Sequence, residues 1–215
     1  MTETFLDGDV HGTLHRPEAP NGVALALTHG AGSNANAPLL VRVAAALAGA
    51  GCLVLRYDLP FRQQRPKGPP FPAMAARDRK GVGEAVDALR RLGAPRIFAG
   101  GHSYGGRQTA MAAAEGLLSA DGLLLLSYPL HPPRRPEEMR TSFFGDWKTP
   151  ALFIHGSADP FGTEAEMRAA IAQIPAPTEI AVISGAGHDL NRGNPAGPFL
   201  AWLAALPCHP PPSST

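Results

Sequence analysis

Short runs rich in Val, Ile and Leu recur along the chain, separated by stretches whose apolar residues fall three and four positions apart. Seven runs read as strands: residues 10–14, 23–28, 52–57, 97–100, 123–127, 151–155 and 180–183. The interior runs are apolar almost throughout, as strands covered on both faces are. The first, VHGTL, alternates instead and reads as an edge strand. Between the strands lie helical signals. Asn36 is placed to cap a helix with Pro38 in its first turn and Leu39, Leu40, Val43 and Leu47 on one face. Val82, Ala85, Val86 and Leu89 form a second stripe, which Gly93 ends. Thr163 and Glu166 have capping-box spacing, and Asn194-Pro195 opens a last helix carrying Phe199, Trp202, Leu203 and Leu206. Strands alternating with helices predict an α/β fold, with a mostly parallel central sheet and helices on both faces.

Two intervals are left without a regular pattern, 59–77 and 128–148. Each follows a strand, which puts it at the C-terminal edge of the sheet, where open α/β folds bind ligands. The length of 215 residues fits a single domain over 1–206, with the Pro- and Ser-rich stretch 207–215 expected to be a flexible tail.

Charge narrows the function. Nineteen basic residues against 18 acidic give +1, which is no footprint for a nucleic-acid partner. No run approaches the apolar length of a membrane span, and the first residues carry no signal-peptide core, so a cytoplasmic protein is expected. Two cysteines, Cys52 and Cys208, make neither a disulfide scaffold nor a four-cysteine zinc site.

The chemistry concentrates at Gly101-His102-Ser103-Tyr104-Gly105, a G-x-S-x-G sequence between an apolar strand and an Ala-rich helical stretch. A serine on such a sharp turn is exposed at the sheet edge, and the flanking glycines remove the Cβ atoms that would clash there. The Tyr104 N–H then faces a developing oxyanion. Three further features fall at strand ends. Thr28-His29-Gly30-Ala31-Gly32-Ser33 follows an early strand and offers a second oxyanion amide at Ala31. Asp159 sits in His155-Gly156-Ser157-Ala158-Asp159-Pro160, and His188 in Ser184-Gly185-Ala186-Gly187-His188-Asp189. The order oxyanion loop, Ser, Asp, His is that of a hydrolase triad. Asp58 precedes the serine and Asp189 adjoins His188, so Asp159 is the expected acid. His29, His102 and His155 are expected to serve packing and hydrogen bonding, and no metal-ligand spacing is present.

With these motifs the sequence resembles the serine α/β-hydrolases over nearly its whole length. THGAGS, RYDLPFR, GGHSYGGR, LLSYPLHPP and LFIHGSADPFG are similar to the small, nearly lidless group related to dienelactone hydrolase and to the KANL3/Tex30-type hydrolase-like domain. Dienelactone hydrolases proper carry a cysteine nucleophile where this chain has Ser103. The resemblance implies minimal or no cap domain, in keeping with the short interval 128–149. Ser103, Asp159 and His188 are then the expected catalytic residues, Ala31 and Tyr104 the oxyanion hole, and no cofactor or metal is called for. A small-molecule ester is the leading substrate. An amide would use the same triad, and the fold also carries scaffolds without activity. Phe61, Phe71, Tyr128, Phe143, Phe144 and Trp147 are candidates for an acyl pocket. The segment 59–80 holds Arg62, Arg65, Lys67, Arg77, Arg79 and Lys80 against Asp78 alone, which reads either as a solvated basic surface or as arginine forks for an anionic substrate.

Overall fold

The computed structural model describes residues 1–206, so the expected tail lies outside the described residues. Eight strands form one sheet: β1 (Thr2–Asp7), β2 (Val10–His15), β3 (Val23–Thr28), β4 (Leu53–Tyr57), β5 (Arg96–His102), β6 (Gly122–Leu126), β7 (Ala151–Gly156) and β8 (Thr178–Ile183). Their order is β1-β2-β4-β3-β5-β6-β7-β8. The β1–β2 and β2–β4 pairs are antiparallel and the rest parallel. The helices are α1 (Pro38–Gly49), α2 (Pro60–Gln64), α3 (Ala75–Arg91), α4 (Tyr104–Ala114), α5 (Glu164–Ile171) and α6 (Ala196–Ala205).

The period of two along each strand builds both cores. Leu25, Leu27, Phe98, Leu124 and Ile154 pack with α1 and α6 on one face. Ala26, Ile97, Leu125 and Phe153 pack with α3, α4 and α5 on the other. Burial on both sides explains why these strands read as unbroken apolar runs. The chain turns from β3 outward to β4, then returns past β3 to β5, so β3 and β5 flank the point where strand order reverses. The crevice at such a point is where open α/β sheets bind ligands. Register aligns the strand ends there: Thr28 pairs with Gly101, His102 with Leu126, and Gly156 with Ile183.

Three local expectations are corrected. The edge strand is β1, and β2 lies inside the sheet. β1 is largely exposed and carries too few apolar residues to show a pattern, yet Gly8 at φ +58° in the two-residue turn before Val10 is a hairpin signal. Asn36 does not cap α1; Ala37 holds that position, and Asn36 Oδ1 accepts from the buried Arg56 (3.2 Å). The expected loop 59–77 contains α2 and a 3-10 turn, and α3 begins at Ala75. Residues 128–150 hold only one short 3-10 turn, Phe144–Asp146, and no separate cap. Among the described residues no helix is long and apolar enough to cross a membrane.

Candidate active site

β5 ends in a strained turn. Ser103 has φ +52° and ψ −116°, a conformation that costs a residue with a Cβ about 1–3 kcal/mol and persists only where its surroundings fix it. Its N–H donates to the Leu126 carbonyl, and its carbonyl accepts from the Arg107 N–H, each at 2.9 Å. A Cβ on Gly105 would lie 2.5 Å from the His29 carbonyl oxygen, and one on Gly101 would lie 2.7 Å from the Gly105 carbonyl carbon. Only glycine lets the turn settle this closely against its own helix and the β3 loop.

The turn presents Ser103 Oγ to His188, whose Nε2 lies 2.8 Å away. His188 Nδ1 lies 2.8 and 3.0 Å from the two Asp159 carboxylate oxygens. The Asp159 side chain is wholly shielded from solvent and that of His188 is 22% exposed. Burial pushes the Asp159 carboxyl upward. The hydrogen bond and charge of His188, the Phe161 N–H (2.9 Å) and nearby His155 together outweigh it and hold the group below the usual carboxylate range. The acid is therefore an anion at neutral pH.

Several groups hold this trio in place. The Phe161 ring lies over the His188 ring, centroids 4.2 Å apart. His102 Nε2 donates to the His188 carbonyl (2.8 Å), and burial pushes its imidazole down to about 4, so it is neutral at pH 7. His155 Nε2 donates to the Gly162 carbonyl (2.7 Å), tying down the loop that carries Asp159.

Across the turn lies the β3 loop. The Gly30 carbonyl accepts from His29 Nδ1 (2.9 Å) and the Ser33 N–H (3.1 Å). Because the peptide is trans, the Ala31 N–H points the opposite way. A Cβ on Gly30 would lie 3.5 Å from the Ser103 Cβ, so the loop rests on the nucleophile turn. The Tyr104 N–H, at the first position of α4, has no acceptor within its helix. Among the described residues neither the Ala31 nor the Tyr104 N–H is spent on a protein acceptor. Ala31 thus sits in the loop that rests on the Ser103 turn, and Tyr104 follows Ser103 directly.

Arg62 fixes the loop from behind. Its buried guanidinium donates to the carbonyls of Ser33 (2.7 Å), Ala31 (2.8 Å), Arg65 (2.9 Å) and Gly68 (3.0 Å). This corrects the reading of the basic segment. Arg62 is a clamp on backbone oxygens and has no fork free for a ligand. Arg79 pairs with Glu115 (2.7 Å), Lys80 with Glu84 (3.3 Å), and Arg65 lies over the Phe71 ring.

Asp78 was not legible as a site residue, although the stripe through Val82 and Ala85, extended back one turn, lands on it. It is fully buried on α3. Its Oδ2 accepts from the Tyr104 hydroxyl (2.7 Å) and its Oδ1 from the Phe61 N–H (3.0 Å), joining α2 to the start of α4. Burial raises this carboxyl above its ordinary range, against those hydrogen bonds. Asp58, the competing acid, accepts from the Ala35 N–H (2.7 Å) and is no partner of His188.

The aromatic expectation divides. Tyr128, Phe144 and Trp147 are buried against Phe153 beneath the 128–150 loop and pack it, while Phe143 is half-buried on Trp147. Phe61 and Phe71 line a hollow of about 280 Å³ with Gln64, Arg65, Pro70 and Met74. Phe61 also meets the Tyr104 ring edge-on, centroids 5.6 Å apart.

The fold agrees with comparisons to known proteins. A lidless α/β serine hydrolase from Xanthomonas campestris superposes with a TM-score of 0.74 at 19% identity, covering 98% of this chain and 96% of the other. Dienelactone hydrolase from Anabaena variabilis gives 0.70 at 23%, covering 95% and 94%. Est1E from Butyrivibrio proteoclasticus, with ferulic acid bound, gives 0.73 at 18%, covering 94% and 99%. At these identities the likeness is one of fold. The sequence model of the alpha/beta hydrolase domain matches residues 21–198, and the chain belongs to that family.

Proposed function

We propose that this hydrolase opens carboxylic esters through an acyl-enzyme on Ser103. The observation that carries the reading is His188 bridging Ser103 Oγ and the buried Asp159 carboxylate, at 2.8 Å on each side. In the proposed reaction Ser103 Oγ attacks the ester carbonyl while His188 Nε2 takes its proton. Asp159 fixes the tautomer that leaves Nε2 free and stabilises the imidazolium that forms. The oxyanion of the tetrahedral intermediate accepts from the Ala31 and Tyr104 N–H groups, which are aimed before the substrate arrives. His188 returns the proton to the departing alcohol. Water, deprotonated by the same imidazole, then adds to the acyl-enzyme and releases the carboxylic acid and Ser103. The anionic Asp159 suits this role, since it favours the charged imidazolium at each proton transfer.

Turnover of p-nitrophenyl acetate tests the proposal. Ser103→Ala is expected to lower kcat by about 10⁴-fold or more, the loss typical of a serine acting as one unit with its base, with an unchanged circular dichroism spectrum. A variant that keeps a tenth of the wild-type rate would remove Ser103 as the nucleophile.

A further inference from the structure

The inference rests on the hydrolase reading and concerns the residue that covers the base. Phe161 lies two positions after Asp159 and meets two members of the trio at once. Its N–H donates to Asp159 Oδ1 (2.9 Å), and its ring lies over the His188 imidazole with centroids 4.2 Å apart and planes inclined by 33°. So shallow an angle presents the face of the ring and not its rim. The residue is pinned on its other side as well, where its carbonyl accepts from the His131 N–H (3.1 Å). With both backbone groups engaged, the peptide around Phe161 is fixed, and the ring's place over the imidazole is set before any substrate arrives.

Two effects of such a ring oppose each other. The face of an aromatic ring carries partial negative charge and attracts a cation held within about 6 Å of its centroid. An apolar ring also excludes water, which disfavours charge on the group it covers. The surroundings of the imidazole decide between them. Its two nitrogens are served by Ser103 Oγ and by Asp159, with His155 Nδ1 standing 3.8 Å behind Asp159 Oδ2. The His102 ring is 5.1 Å away and neutral at pH 7. Asp189, next in the chain, is exposed and accepts from the Asn191 N–H (3.4 Å). The His188 side chain keeps 22% of its surface exposed, so the Phe161 ring leaves water within reach and its attraction outweighs the exclusion. That attraction acts on the charged imidazolium, which exists only while His188 holds the Ser103 proton. An interaction stronger at that stage than in the resting enzyme lowers the barrier.

We propose that Phe161 is a positioning residue that works through His188: its N–H holds the acid, and its ring face stabilises the imidazolium formed at each proton transfer. The covalent steps are unchanged. The proton still passes from Ser103 Oγ to His188 Nε2 and on to the departing alcohol.

The sign of one titration tests this. The ring C–H resonance of His188, assigned by its absence in His188→Gln, would be followed against pH by NMR in the whole protein. Phe161→Leu and Phe161→Met keep the N–H and an apolar side chain and remove the ring; using both guards against one that fails to fold. In each, the midpoint is expected about half a pH unit below the parent's, with kcat for p-nitrophenyl acetate about threefold lower and KM little changed. Phe161→Tyr keeps the ring face and is expected to titrate with the parent. A midpoint unmoved in the leucine and methionine proteins would overturn the proposal. So would a midpoint that rises, which is the signature of a ring that only keeps water out. The titration needs no turnover. Expected midpoints in a protein that leaves p-nitrophenyl acetate intact would count against the hydrolase reading alone, and turnover with unmoved midpoints against the role of Phe161 alone.

Discussion

Two regions of the molecule carry conspicuous arginines, and in both a guanidinium is held by backbone carbonyls, Arg62 by four and Arg140 by one. In segment 59–80 three of the six cations have fixed partners: Arg62 four carbonyls, Arg79 Glu115 and Lys80 Glu84. Around α4 and the 128–150 loop, Arg107 and Arg140 pair with no carboxylate among the described residues. The first region is the more basic in sequence, with six cations against one acid. Both regions nevertheless keep cations that pair with no carboxylate among the described residues, Arg65, Lys67 and Arg77 in the first and Arg107 and Arg140 in the second. A count of charges along a chain cannot distinguish a guanidinium that braces a loop from one that pairs with a carboxylate, because the difference lies in backbone carbonyls that sequence does not show.

The comparison is broken most severely at Arg62. If its role is to hold the Ala31 loop, Arg62→Ala should lower kcat by about 10²-fold for neutral and anionic esters alike, the usual loss for one oxyanion donor. Arg62→Lys should not rescue it, since an ammonium cannot span four carbonyls. Steady-state kinetics on an ester pair differing only in one carboxylate would check this. A loss confined to the anionic ester would place Arg62 in substrate binding and erase the contrast between the regions.

A smaller effect sharpens the contrast from the stability side. Burial holds His102 near the nucleophile turn, and His15 at the end of β2, with imidazoles lowered to about 4. The unfolded chain protonates these groups near 6.5, so between pH 6.5 and about 4 it binds protons that the folded chain refuses. Stability is therefore full above pH 6.5 and falls as pH drops through that window. His102→Gln keeps a donor for the His188 carbonyl and removes one titrating group. Urea unfolding as a function of pH should show the slope reduced by about 1.4 kcal/mol per pH unit at most. An unchanged slope would mean that His102 titrates normally in the folded protein.

Much of the architecture was written in local pattern. Strands with both faces buried announce themselves as apolar runs, and the capping box at Thr163 and Glu166 forms both of its hydrogen bonds. β1 escaped because only one face of an edge strand packs and its few apolar residues set no period. The positions that the structure brings together at the site, Ser103, Asp159, His188, Ala31 and Tyr104, were legible because each sits at a strand end in a glycine-bearing motif. Asp78, Phe161 and the clamp made by Arg62 were not. Their roles depend on contacts between segments far apart in the chain, such as Asp78 with Tyr104, and no local spacing encodes them.

The central claim is that Ser103 is an activated nucleophile, and its most direct test is covalent. Wild-type protein would be treated with a fluorophosphonate and the adduct mapped by peptide mass spectrometry. A single phosphonylated peptide carrying Ser103 is predicted, lost in Ser103→Ala and slowed by about 10³-fold or more in His188→Ala, as expected when the base that activates the serine is removed. An adduct at another residue, or labelling of Ser103 that proceeds equally fast without His188, would contradict the account.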